Sequence, residues 1–120
     1  MTRMLLVAFV LCVALSAYAQ APDRPAASVP AGNAEEGKKL YVAVGCYQCH
    51  GHEAQGSSAT GPRLGPRPIA FAAFSRYVRQ PSNQMPPYTA KVVSDADLAN
   101  IYAFVRSRPE PPKEIQLLKN

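Results

Sequence analysis

The five residues Cys46-Tyr47-Gln48-Cys49-His50 constrain the fold of this chain more than any other feature. Two thiols separated by two residues, followed at once by an imidazole, form the attachment pattern of a c-type haem. Each thiol can add across one vinyl group, and the imidazole is then held where it can bind the iron from one face. A chain with this motif has to close around a large apolar plate rather than around side chains alone. Short Cys-x-x-Cys strings also serve thiol–disulfide and zinc chemistry, so the surroundings have to decide between them.

A disulfide between Cys46 and Cys49 would close a very small loop, restrict little of the unfolded chain and leave His50 without a role. Zinc would need a second ligand pair at ordinary spacing, and none follows. A thiol–disulfide enzyme would need a βαβ setting that the chain lacks. Covalent haem attachment uses all three residues.

The amino-terminal segment predicts export. Residues 1–19 read as a signal peptide: Arg3 supplies the positive end, residues 4–15 are apolar, and Ala17-Tyr18-Ala19 is a small-x-small cleavage site. The apolar run is shorter than the about 20 residues that a bilayer span needs. A periplasmic location without stable membrane insertion after cleavage is therefore expected. Cys12 leaves with this segment, and Met85 is then the one methionine that remains. Loss of Arg3 also brings the net charge from +5 to +4. That mild basicity suits an acidic protein partner. Nucleic acid is excluded as a partner, because no cluster of Lys and Arg of the nucleic-acid type is present.

Residues 20–32 are rich in Ala and Pro and read as a flexible leader, and residues 109–120 as a Pro-rich tail. Between them lies one domain, residues 33–108. A segment of ~75 residues rarely sustains a single core without a staple, and here the haem would serve as one. Three helices are legible in it. Asn33 is a good N-cap, Glu35 and Glu36 occupy the positive first turn, and Glu36 is placed to reach back to the cap. Gly37, Leu40, Tyr41 and Val44 form one face, and Gly45 stops the helix. A second helix spans residues 69–80, with Phe71, Phe74 and Val78 on one side and Pro81 at its end. Ser94 caps the third, whose buried stripe is Leu98, Ile101, Tyr102 and Val105, with Arg106 and Arg108 at its negative end. No stretch alternates with period two, so the fold class is all-α.

With these elements in order, the domain resembles the class I (monohaem) cytochromes c. The resemblance rests on Gly37-x-x-x-Tyr41, on the Cys46–His50 motif just after that helix, and on Gly61-Pro62-Arg63-Leu64. A methionine, Met85, lies in a loop before the final helix, and an aromatic, Tyr102, on that helix. The run Met85-Pro86-Pro87-Tyr88 into Ser94-Asp95-Ala96-Asp97-Leu98 is similar to small bacterial cytochromes that partner periplasmic dehydrogenases. The resemblance implies a small fold of short helices around one haem c, bound through Cys46 and Cys49, with Pro62 and Leu64 against it. It further implies that Gly37 lets the last helix approach closely and that the Pro62 carbonyl accepts a hydrogen bond from His50.

His50 and Met85 are the expected iron ligands. Met85 has no helical stripe to join, and two prolines after it stiffen its loop. A soft thioether opposite an imidazole raises the reduction potential. An iron closed on both sides has no place for peroxide or gas, so the expected activity is one-electron transfer, with no catalytic residues. The donor would be a dehydrogenase, either a free partner or one that holds this chain as a subunit, and the acceptor a further cytochrome or an oxidase. The alternative is a haem peroxidase or gas-binding sensor with an open sixth position. Among the other polar residues, His52 reads as a solvated loop residue, and Tyr47 and Gln48 as facing solvent. Arg79 and Tyr77 are candidates to pair with a haem propionate. Lys38, Lys39, Arg63 and Lys91 form a candidate positive rim.

Overall fold

The computed structural model describes residues 29–111. The expected signal peptide, most of the expected leader and most of the tail lie outside the described residues. Among the described residues four helices follow one another: α1 (Ala34–Ala43), α2 (Tyr47–His50), α3 (Phe71–Arg79) and α4 (Asp95–Arg106). No strand occurs among the described residues, only an isolated bridge between Ser57 and Gly61. The fold is all-α, as the sequence predicts.

Each helix end has a local cause. The Asn33 side chain accepts from the amides of Glu35 and Glu36 at 2.9 and 3.0 Å. The expected return contact from Glu36 is not made. Glu36 pairs with Lys39 instead, and the Asn33 amide donates to Asn100 Oδ1 of α4 at 2.8 Å. The cap is thus shared between two helices. Gly45 follows α1 with φ +84°, a conformation that favours glycine. Ser94 and Asp97 form a reciprocal capping box at the start of α4. Helix α3 begins two residues later than the sequence suggests. Ala70 at its cap offers no side-chain acceptor, and the carbonyl of Ile69 accepts from the Tyr102 hydroxyl at 3.0 Å.

The helix α1 crosses α4 at backbone distance. Gly37 is buried, and a Cβ added there would overlap the carbonyl of Asn100. One turn on, Tyr41 meets Phe104, with ring centroids 5.1 Å apart. The aromatic of α4 that faces α1 is therefore Phe104, and Tyr102 turns to Phe71 and Phe74 of α3, each at 5.1 Å. Tyr41, Phe104, Leu98, Val93 and Val105 are the largest fully buried side chains. Burying these residues supplies the main driving force for folding.

Alanine at Gly37 should force the two helices apart. An overpacking cost of about 1–3 kcal/mol is expected, read as a lower thermal midpoint for the Gly37→Ala variant of the haem-loaded protein. An unchanged midpoint would remove the crossing from this account.

Candidate functional site

The short helix α2 follows α1 after a single tight turn, so the thiols and the imidazole are delivered at the end of the best-packed element. Cys46 is half-buried, Cys49 is exposed, and neither is in a disulfide. Burial pushes the Cys46 thiol up to about 11, so it stays protonated at neutral pH rather than acting as a thiolate. His50 is buried. Its Nδ1 lies 2.8 Å from the carbonyl oxygen of Pro62. A carbonyl can only accept, so the ring proton sits on Nδ1 and the Nε2 lone pair is left for another partner.

The loop between α2 and α3 is folded back to make this contact. The Gly56 amide donates to the His50 carbonyl at 2.7 Å, and Thr60 Oγ1 to the Cys49 carbonyl at 2.8 Å. Buried Ala54 accepts from the amides of Leu64 and Gly65 at 2.9 and 3.2 Å. Tyr41 donates to the Gly51 carbonyl at 2.9 Å and anchors the loop on α1.

These elements surround a cavity of about 1030 Å³, at the upper end of the roughly 300–1,000 Å³ usual for ligand and cofactor sites. Cys46, Cys49, His50, Pro62, Leu64 and Met85 all lie in its wall. The structure thus brings together six residues spread over forty positions of the chain. Phe74 and Val78 of α3 and Leu98 and Ile101 of α4 supply apolar wall. Arg63 and Arg67 are its only Lys, Arg, Asp or Glu side chains, among the described residues. An apolar chamber with two guanidinium groups, two thiols, one imidazole and one thioether fits a flat apolar macrocycle with anionic substituents. Among the described residues, no group of three or more His, Cys, Asp and Glu side chains is placed to hold a metal ion by itself.

Several polar residues stand elsewhere than expected. Tyr47 is half-buried and stacks on exposed His52, ring centroids 4.4 Å apart, because the tight helix α2 turns it back onto the following loop. Gln48 is exposed, as expected. Tyr77 lines the cavity and donates to the Ser82 carbonyl at 3.2 Å. Arg79 does not line it; its guanidinium is engaged by Tyr88 and Asp95. In the candidate rim, Lys38 pairs with Glu53 and Lys39 with Glu36, while Arg63 and Lys91 are exposed. Tyr88, to which the sequence assigns no role beyond its place in the Met85–Tyr88 run, lines the cavity and donates to the Val44 carbonyl at 3.0 Å.

A small all-helical domain with a Cys-x-x-Cys-His helix on the wall of such a chamber is a c-type cytochrome, the class that carries covalently attached haem and transfers electrons. Residues 32–105 match the family described as Cytochrome C oxidase, cbb3-type, subunit III, and the chain belongs to that family. No solved structure matches it. No helix among the described residues is long and apolar enough to cross a membrane.

The loop beyond His50 carries a pH-sensitive tie. Lys38 Nζ, at 2.9 Å, and the Arg108 guanidinium both bond the Glu53 carboxylate and hold it below its ordinary value of 4.5. A depressed carboxylate contributes stability above its unfolded value and loses it as pH falls through the folded one. Glu53→Gln should therefore lower the thermal midpoint at neutral pH, and the two proteins should converge well below pH 4.5. Parallel curves of midpoint against pH would contradict this.

Proposed function

We propose that the protein is a periplasmic one-electron carrier of the class I monohaem type. It would hold one haem c through Cys46 and Cys49, with His50 and Met85 as the side chains that bind the iron. The observation that carries this reading is the His50–Pro62 contact at 2.8 Å, made on the wall of a chamber that Met85 shares. When bound there, haem supplies one-electron exchange between ferric and ferrous iron.

The chain's own residues determine how that exchange proceeds. The hydrogen bond to Pro62 fixes the ring plane of His50 and raises the basicity of Nε2. The Met85 thioether, a soft donor, favours the reduced metal and so raises the potential. Leu64, Val78, Leu98 and Ile101 keep water from the chamber and lower its polarity. Arg63 and Arg67 would offset the negative charge of the bound group's anionic substituents.

With the iron bound by both His50 and Met85, no site would remain for peroxide or a gas, and the protein would serve as a carrier rather than as a peroxidase or gas sensor. Its donor is a dehydrogenase, met as a free partner or as a companion subunit, and its acceptor is a cytochrome or an oxidase. The oxidase named in the family description supports the accepting side of this assignment. The export segment at residues 1–19 supports the location.

Replacing Met85 by alanine decides between carrier and ligand-binding protein. The reduction potential should fall by a sizeable part of the ~0.8 V range that axial ligands span. Carbon monoxide should bind the reduced variant rapidly and the reduced parent protein slowly. A parent protein that binds carbon monoxide as fast as the variant would sink the carrier reading.

A further inference from the structure

Arg79 and Arg108 are both turned inward, and of the two only Arg79 reaches the loop that carries Met85. Arg79 lies in the last turn of α3, yet its side chain is only 20% exposed. Both ends of its guanidinium are used. One nitrogen donates to the Tyr88 carbonyl at 2.9 Å, and the other to Asp95 Oδ1, in the first turn of α4, at 2.7 Å. One side chain thereby ties α3, the loop after Met85 and the start of α4.

Tyr88 is held from two further directions. Its amide donates to the Val78 carbonyl at 3.0 Å and its hydroxyl to the Val44 carbonyl at 3.0 Å. Only Pro86 and Pro87 separate it from Met85. Both have a fixed φ, so a position set at Tyr88 passes to Met85 with little slack. Met85 and Tyr88 line the cavity and Arg79 does not, so Arg79 acts on whatever fills it through the segments it ties, of which this loop carries Met85.

We propose that Arg79 is a positioning residue for Met85. By clamping the Tyr88 carbonyl and the Asp95 carboxylate together, it holds the methionine loop against the chamber and sets how firmly the thioether competes for the iron. This rests on the reading of Met85 as an axial ligand. A neutral thioether is a weak donor, and its hold depends on how little freedom the loop leaves it. Hydrogen bonds from a guanidinium to a carboxylate and a carbonyl are stronger than neutral ones, and they restrict the loop where it meets α4.

Imidazole titrated at neutral pH into the oxidised, haem-loaded protein reports this competition. Arg79→Ala should bind imidazole about tenfold more tightly, the scale of losing one charge-assisted hydrogen bond, and its reduction potential should fall. Arg79→Lys, with a single donating group, should lie between the two. Arg108→Ala removes the guanidinium that pairs with Glu53, and it should lower thermal stability without changing imidazole affinity. Equal imidazole affinity in Arg79→Ala and the parent protein overturns the proposal. So does the same tightening in Arg108→Ala, which would reduce the effect to general loosening. Should Arg79→Ala not fold with haem, Asp95→Ala carries the test, since that side chain is 85% exposed and its removal takes away the acceptor while leaving the core intact. Unchanged affinity there overturns the proposal as well. Failure of the underlying reading looks different: the parent protein itself would lack the charge-transfer absorption of thioether-bound ferric iron.

Discussion

Helices can touch backbone to backbone only where one of them carries no Cβ, and Gly37 is where α1 meets the Asn100 region of α4 in this way. The contact is reinforced at one end by the Asn33 amide on the Asn100 side chain, and at the other by Tyr41 against Phe104. Because α2 follows α1 directly, fixing this pair also fixes where the two thiols and His50 emerge. A domain of this size has little core to spare. The crossing is therefore the frame from which the chamber walls are hung.

The walls themselves are mostly loop, and loops need partners for their backbone groups. Here the helices supply them. The loop after His50 is tied by Thr60, Tyr41 and the amides around Ala54, and the methionine loop by Tyr88 and Arg79. Among the described residues, no buried side-chain nitrogen or oxygen lacks a hydrogen-bond partner. The polar groups that face the interior are thus spent on holding shape, which leaves the space they enclose predominantly apolar.

Local signals in the sequence account for much of this. Asn33 and Ser94 as caps, Gly45 as a stop and the stripe from Leu98 to Val105 are read from neighbours within one or two turns, and the structure has them there. The motif residues and Met85 are marked by their chemistry, Pro62 and Leu64 by the family resemblance, and all share one cavity. What escaped the sequence depends on distant contacts. Helix α2 is too short for any periodicity to mark it. Phe104 meets Tyr41 because α4 lies against α1 at Gly37, a contact between distant segments that its own neighbours do not mark. Glu36 yields its capping role to Asn100, sixty-odd positions away, and the inward turn of Arg79 needs both Tyr88 and Asp95 to be in place. No spacing rule encodes such meetings.

Four tyrosine hydroxyls, those of Tyr41, Tyr77, Tyr88 and Tyr102, each donate to a main-chain carbonyl of another segment. They act as crossbars between helices and the peptide segments that enclose the chamber. Groups pinned in this way cannot swing far when a unit of charge arrives inside or departs, so their dipoles are already oriented before the event. Such an enclosure keeps the nuclear rearrangement that accompanies each change of oxidation state small. It lets the protein pass between its two states with hardly any change of form.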